Sequence, residues 1–200
     1  MLNKEKIKNF FDEYAPRWDD EMIIDDRIVE KILDNAGVSE GKAVLDVACG
    51  TGVLVPYYLA RGAGAVTGID ISPEMIKIAA AKFAEVSFIC ADAENYKSEE
   101  KFDSIVIYNA FPHFSDPERL IKNLSGMLKP GGLITVAHGM SRERINSHHK
   151  NVMEVSNGLI SAEELAAIFK KYVDVTTVIS TEEMYQVAGT RLPEKCTYNG

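Results

Sequence analysis

Residues 43–52, Ala43-Val44-Leu45-Asp46-Val47-Ala48-Cys49-Gly50-Thr51-Gly52, followed eighteen residues later by Asp70, decide the reading of this chain. The apolar run Ala43–Val47 predicts a buried strand that breaks into a glycine-rich turn, with a helix opening after it. Gly50 and Gly52 supply backbone freedom and let a ligand approach the main chain closely. A second apolar run, Ala65–Ile69, ends on Asp70. In a doubly wound sheet an acid at the tip of the second strand can take both hydroxyls of an adenosine ribose. Two details narrow the ligand. Val55 stands where a dinucleotide fingerprint wants its third glycine. Asp46 lies just before the turn, where a carboxylate repels a pyrophosphate but can face an ammonium group. The implied ligand carries adenosine at one end and a cationic amine beside the loop.

Four further segments follow in order. Gly68-Ile69-Asp70-Ile71-Ser72 runs into Pro73-Glu74-Met75, and Phe88-Ile89-Cys90-Ala91-Asp92-Ala93 ends on an acid. Phe102–Ala110 is a third long apolar run, and Leu128-Lys129-Pro130-Gly131-Gly132 is a turn. With Asp46–Gly52 these resemble the motifs of class I S-adenosylmethionine-dependent methyltransferases, with Ala48 in place of one glycine. The resemblance implies an α/β fold: a Rossmann-like, doubly wound, seven-stranded sheet, mostly parallel with a C-terminal antiparallel strand. It implies S-adenosyl-L-methionine as cofactor. Asp46 would then meet the methionine ammonium, and Ala48, Cys49, Gly50 and Gly52 would form the turn. Asp70, with Ile71 and Met75, would bind the ribose region, and Asp92 and Ala93 the adenine. Asn109 and Ala110 would form the wall beneath the methionyl part. The segment Phe11–Asp19, with Tyr14 and Trp18, is similar to the arm that folds over the cofactor in small-molecule methyltransferases, including those of ubiquinone and menaquinone biosynthesis. An aromatic ring near a sulfonium gains cation–π attraction; the same aromatics also suit the core face of a helix.

The 200 residues suffice for one domain with a substantial core. A net charge of −8 disfavours nucleic-acid substrates, whose binding rests on clustered Lys and Arg. No apolar run approaches the roughly 20 residues of a membrane span, so no membrane partner is expected. The charged start, Met1–Lys8, does not read as a secretory signal. Cys49, Cys90 and Cys196 lack metal-ligand spacing and suit a reducing compartment, so cytoplasmic location is expected and no metal.

Periodicity predicts helices over 4–14 and 25–36, then strand 43–47, helix 53–61, strand 65–69, helix 73–82, strands 86–90 and 103–108, helix 117–128 and strand 132–138. A capping box at Ser161–Glu164 opens a helix to about Lys171, and β-rich runs Tyr172–Ile179 and Met184–Ala188 follow. We therefore divide a single domain, 1–200, into a helical arm or lid (1–40), a cofactor core (41–138), a lid insertion (139–160) and a C-terminal helix and hairpin (161–192).

Methyl transfer needs positioning above all, plus a base where the acceptor holds a proton. His113, in the loop after the fourth strand, and His138, at the end of the fifth, are the candidate catalytic residues. Arg142, His148 and His149, with Arg144, make the lid segment locally basic and suggest contacts to an anionic small-molecule acceptor. The function expected is methyl transfer to such a small molecule. The alternatives are a cofactor-binding protein without catalysis and a Rossmann-type oxidoreductase. Oligomeric state and the acceptor atom are open at this level.

Overall fold

Alternating strands and helices build one seven-stranded sheet in the order β3-β2-β1-β4-β5-β7-β6. The computed structural model describes residues 2–149 and 154–192, without the side chain of His149; Cys196 lies outside them. The strands are β1 (Ala43–Val47), β2 (Ala65–Asp70), β3 (Ser87–Cys90), β4 (Phe102–Tyr108), β5 (Leu128–His138), β6 (Asp174–Ser180) and β7 (Tyr185–Thr190). Neighbours from β3 to β5 pair in parallel, and β7 is antiparallel to both β5 and β6.

The helices are α1 (Lys4–Tyr14), α2 (Trp18–Glu21), α3 (Asp26–Asn35), α4 (Val55–Ala60), α5 (Pro73–Lys82), α6 (Pro117–Ser125), α7 (Arg142–His149) and α8 (Ala162–Phe169). Side chains alternate across each strand, so the sheet feeds two cores. Leu45, Val47, Ile105 and Ile107 pack with α6 and α8 on one face. Val44, Val66 and Val106 pack with α3 and α4 on the other. Parallel strands covered on both faces read as continuous apolar runs, as β1 and β4 do.

Local chemistry starts the helices. Ser72 caps α5 and Asp116 caps α6, each followed by Pro at the first helical position. Ser161 and Glu164 form the capping box of α8.

Three boundaries differ from expectation. Helix α4 begins at Val55 because residues 50–54 complete the turn. Helix α6 stops at Ser125, and β5 starts at Leu128 by pairing with Phe102 across an irregular register step. The 139–160 segment is not a bare loop: α7 forms there, and Ile145 and Leu159 enter the core.

The chain winds outward from β1 through β2 to β3, then restarts at β4 on the other side. The reversal lies between β1 and β4, and ligands bind above the carboxyl ends of strands at such a switch.

Gly68 pairs with Asp46 and Phe88 on the neighbouring strands. A Cβ there would meet the Phe88 ring at 2.7 Å and Cys49 Sγ at 2.9 Å. Gly68→Ala should therefore cost about 1–3 kcal/mol in urea unfolding by overpacking. An unchanged midpoint would mean that the strand relaxes freely.

Candidate functional site

A cavity of about 940 Å³, counting space open to solvent, lies over the carboxyl ends of β1, β2 and β4. Its floor holds two buried carboxylates on adjacent strands, Asp46 and Asp70. Asp70 is held by backbone on both oxygens: the Gly50 N–H donates to Oδ2 at 2.9 Å and the Ser72 N–H to Oδ1 at 2.8 Å. Burial pushes its carboxyl up to about 6, against those donors, which favour the charged form. Asp46 is less well served. Its Oδ2 has no hydrogen bond of good geometry, and neither has the nearby Tyr58 hydroxyl, whose proximity still favours the carboxylate. Burial pushes Asp46 up to about 7, and the charge of Asp70 adds to the shift.

The turn between them is held in the left-handed region, with φ of 54° at Ala48 and 55° at Gly50. Asn109, at the tip of β4, has φ of 53°. Asn tolerates this region better than most residues, and its Oδ1 accepts the Gly139 N–H at 3.0 Å, tying β4 to β5. Cys49 lies between the two acids. Burial and both charges drive its thiol well above the ordinary range, which makes it an apolar wall rather than a nucleophile.

The N-terminal arm closes the cavity. Asp12 Oδ1 accepts from Ser72 Oγ at 2.5 Å, and Asp19 Oδ1 accepts from Thr51 Oγ1 at 2.5 Å. Lys4 Nζ lies 2.6 Å from Asp92 Oδ2 and also contacts Glu94. These contacts seat Trp18 over the turn, its Nε1 3.6 Å from where a Cβ on Gly50 would stand. The Phe11 ring meets Trp18 edge-on at 5.6 Å and His113 at 5.0 Å. A wall of three rings thus runs from the β1 turn to the 3₁₀ turn Phe111–His113 after β4. Val155 O lies 2.8 Å from His113 Nδ1. A carbonyl only accepts, so Nδ1 carries the hydrogen and the lone pair of the neutral ring is on Nε2.

Residues 44–132 match a family model described as a methyltransferase domain. The malonyl-[acyl-carrier protein] O-methyltransferase of Priestia megaterium is 30% identical over 138 residues, 66% of this chain and 50% of that protein. The ubiquinone biosynthesis O-methyltransferase of Coxiella burnetii is 36% identical over 107 residues, 51% of this chain and 45% of that one. A Haloferax volcanii methyltransferase, solved in complex with the Trm112 activator, superposes with a TM-score of 0.77 at 21% identity, covering 92% of this chain and 98% of that chain. By sequence the chain is similar to methyltransferases, and it shares the fold of S-adenosylmethionine-dependent ones. It spans about half the length of the curated relatives it matches.

Of the residues singled out in this chain from sequence, the fold gathers most around one cavity. Asp46, Ala48, Cys49 and Gly50 line it from β1 and its turn, and Asp70, Ile71 and Met75 from β2 and α5. Asp92 and Ala93 line it after β3, Asn109, Ala110 and His113 after β4, and Trp18 from the arm.

Five predicted residues lie elsewhere. Gly52 is buried behind the turn, where a Cβ would press on the Phe83 ring at 3.0 Å. Tyr14 turns away to stack on Phe10 at 4.6 Å beneath the Arg17 guanidinium. His138 is buried in β5 with its ring against Tyr185 at 6.0 Å, outside the cavity lining. Arg142 donates its Nε to the Leu159 carbonyl at 2.8 Å, and His148 is exposed on α7. The side chain of His149 lies outside the described residues. Sequence reading missed Lys4, Phe11, Glu94 and Ser115, all in the lining. Among the described residues, no group of three or more His, Cys, Asp or Glu could hold a metal, and no helix is long and apolar enough to cross a membrane.

Two stability effects follow from this geometry. Ala48→Gly should stabilise the protein by about 1 kcal/mol, because only glycine adopts φ near +54° without cost; a lower urea midpoint would contradict the strain. An unfolded Asp ionises near pH 3.9, whereas native Asp46 does so near 7. Between those values the folded protein binds more protons than the unfolded chain, so stability falls as pH rises through that window. Asp46→Asn should flatten this slope and raise the melting temperature at pH 8. A slope identical to wild type would place the titration on another group.

Proposed function

We propose that this protein transfers a methyl group from S-adenosylmethionine to an oxygen or nitrogen atom of a small-molecule acceptor by in-line displacement. One observation carries the reading: two buried carboxylates at adjacent strand tips open on one cavity, and Asp46 Oδ2 has no hydrogen bond of good geometry. An ammonium group would satisfy that oxygen. Asp70, already oriented by two backbone amides, has lone pairs left for the ribose hydroxyls, and Asp92 would accept the adenine amino group. The cofactor would supply a methyl on a sulfonium, with a neutral thioether as leaving group.

This chain's own residues would do the rest. Trp18 and Phe11 exclude water and present aromatic surface to the sulfonium. His113, its Nδ1–H donated to Val155, would accept the acceptor's proton at Nε2. Lys4 is the only Lys or Arg among the described cavity-lining residues, and it is held by Asp92 and Glu94. Arg142 and His148 point elsewhere, so an anionic acceptor loses the cations first suggested for it. The wall of Phe11, Trp18, His113 and Phe114 favours an acceptor with an apolar face.

Calorimetry should find S-adenosylhomocysteine bound in the micromolar range, about −8 kcal/mol. Asp70→Ala should weaken it by about 1.5–3 kcal/mol per lost charge-assisted bond. Unchanged affinity in a folded Asp70→Ala protein would overturn the ribose assignment. With an acceptor in hand, His113→Gln should lower kcat by about 10²–10⁴ while leaving S-adenosylhomocysteine affinity alone. Wild-type turnover in that variant would return His113 to a packing role.

A further inference from the structure

Glu94 is a buried carboxylate, 3% exposed, to which the chemistry above gives no part. It is nonetheless heavily bonded. Ser115 Oγ lies 3.0 Å from both carboxylate oxygens, the Asp116 N–H donates to Oε1 at 2.8 Å, and the Lys4 ammonium sits on Oε2. Two remote segments therefore meet on this one side chain: the start of α1 and the turn after β4 that carries His113. Lys4 also holds Asp92 Oδ2 at 2.6 Å, so the ammonium bridges residues i and i+2 of one cavity wall.

The bridge has a consequence for ligand entry. On the reading proposed above, which this inference rests on, the adenine amino group donates to Asp92. Lys4 occupies that same carboxylate. Asp92 already accepts the Asn95 side-chain amide on Oδ2 and the Glu94 N–H on Oδ1 at 3.1 Å, so a further donor there competes with Lys4, which with the first turn of α1 keeps its place only if a second acceptor retains it. We infer that Glu94 is a positioning residue that keeps Lys4, and so the arm, in place when the cofactor takes Asp92. Its other donors, Ser115 and Asp116, fix the carboxylate independently of the arm, so it is already aimed when Lys4 shifts. The hand-over moves one ammonium between two carboxylates and transfers no proton.

Glu94→Gln separates this role from simple packing. The amide oxygen can still accept from Ser115 and Asp116, but its NH₂ would face the Lys4 ammonium donor to donor. The experiment is hydrogen exchange of residues 2–14, with and without S-adenosylhomocysteine, in wild type, Glu94→Gln and Lys4→Met. In wild type, ligand should leave the arm's protection unchanged or raise it. In Glu94→Gln the sign should reverse: ligand frees Lys4 from Asp92 with nothing to catch it, and exchange of the first turn speeds up by about tenfold, the loss of a charge-assisted bond. In Lys4→Met the arm should exchange fast whether or not ligand is present. This variant lies at the protein's edge, so it keeps the test alive if Glu94→Gln fails to fold.

The inference is overturned if ligand protects the Glu94→Gln arm as it does in wild type, or if Lys4→Met leaves exchange of the arm as in wild type. Wild-type protein that does not bind S-adenosylhomocysteine at all would instead overturn the proposed function, and the two failures are distinct.

Discussion

The hydrogen bond from the Gly50 amide to the Asp70 carboxylate holds the first turn against the second strand. The same carboxylate accepts the Ser72 amide, and Ser72 caps α5 while donating to Asp12 of the arm. One buried acid thus sets the turn, the next helix and, through Ser72, the covering arm. Its burial makes this costly: the carboxyl is pushed up to about 6, and the neighbouring Asp46 to about 7. A site that holds two desolvated carboxylates side by side is prepared for donors and positive charge.

Strain is stored at the same edge. Ala48 and Asn109, the two non-glycine residues with positive φ among those described, end β1 and β4, the strands that flank the switch in winding order. Left-handed backbone at both tips turns the chain sharply away from the strands, opening the space the cavity occupies. The arm then closes that space through bonds from acids and cations on its own surface, Lys4, Asp12 and Asp19, beside the rings of Phe11 and Trp18. A cover held by polar bonds can be released at modest cost, as ligand entry requires.

How much of this was legible follows from sequence distance. Asp46 and the turn after it are contiguous, and Asp70 follows an unbroken apolar strand, so strand order and glycine placement located both acids. The capping box at Ser161 was readable for the same reason. Lys4, Glu94 and Ser115 were not, because they meet only through packing: 88 residues separate Lys4 from Asp92. The aromatics of the N-terminal arm announced an apolar face without saying which rings turn inward; Trp18 and Phe11 do, while Tyr14 goes to Arg17. Charge in the 142–149 segment did not tell where its side chains go. The direction of Arg142 is set by the Leu159 carbonyl, a partner seventeen residues away that composition does not reveal.

The central claim is that Asp46 and Asp70 are ionisable groups strained by burial and relieved by the cofactor. Carbon-13 NMR titration of the aspartate carboxyls, assigned through Asp46→Asn and Asp70→Asn, measures this directly. The account predicts midpoints near pH 7 and 6 in the free protein. Both should fall well below those values with S-adenosylhomocysteine bound, because its ammonium and hydroxyl groups favour the charged forms. Ordinary aspartate midpoints in the free protein, or values that ligand leaves unmoved, would contradict it.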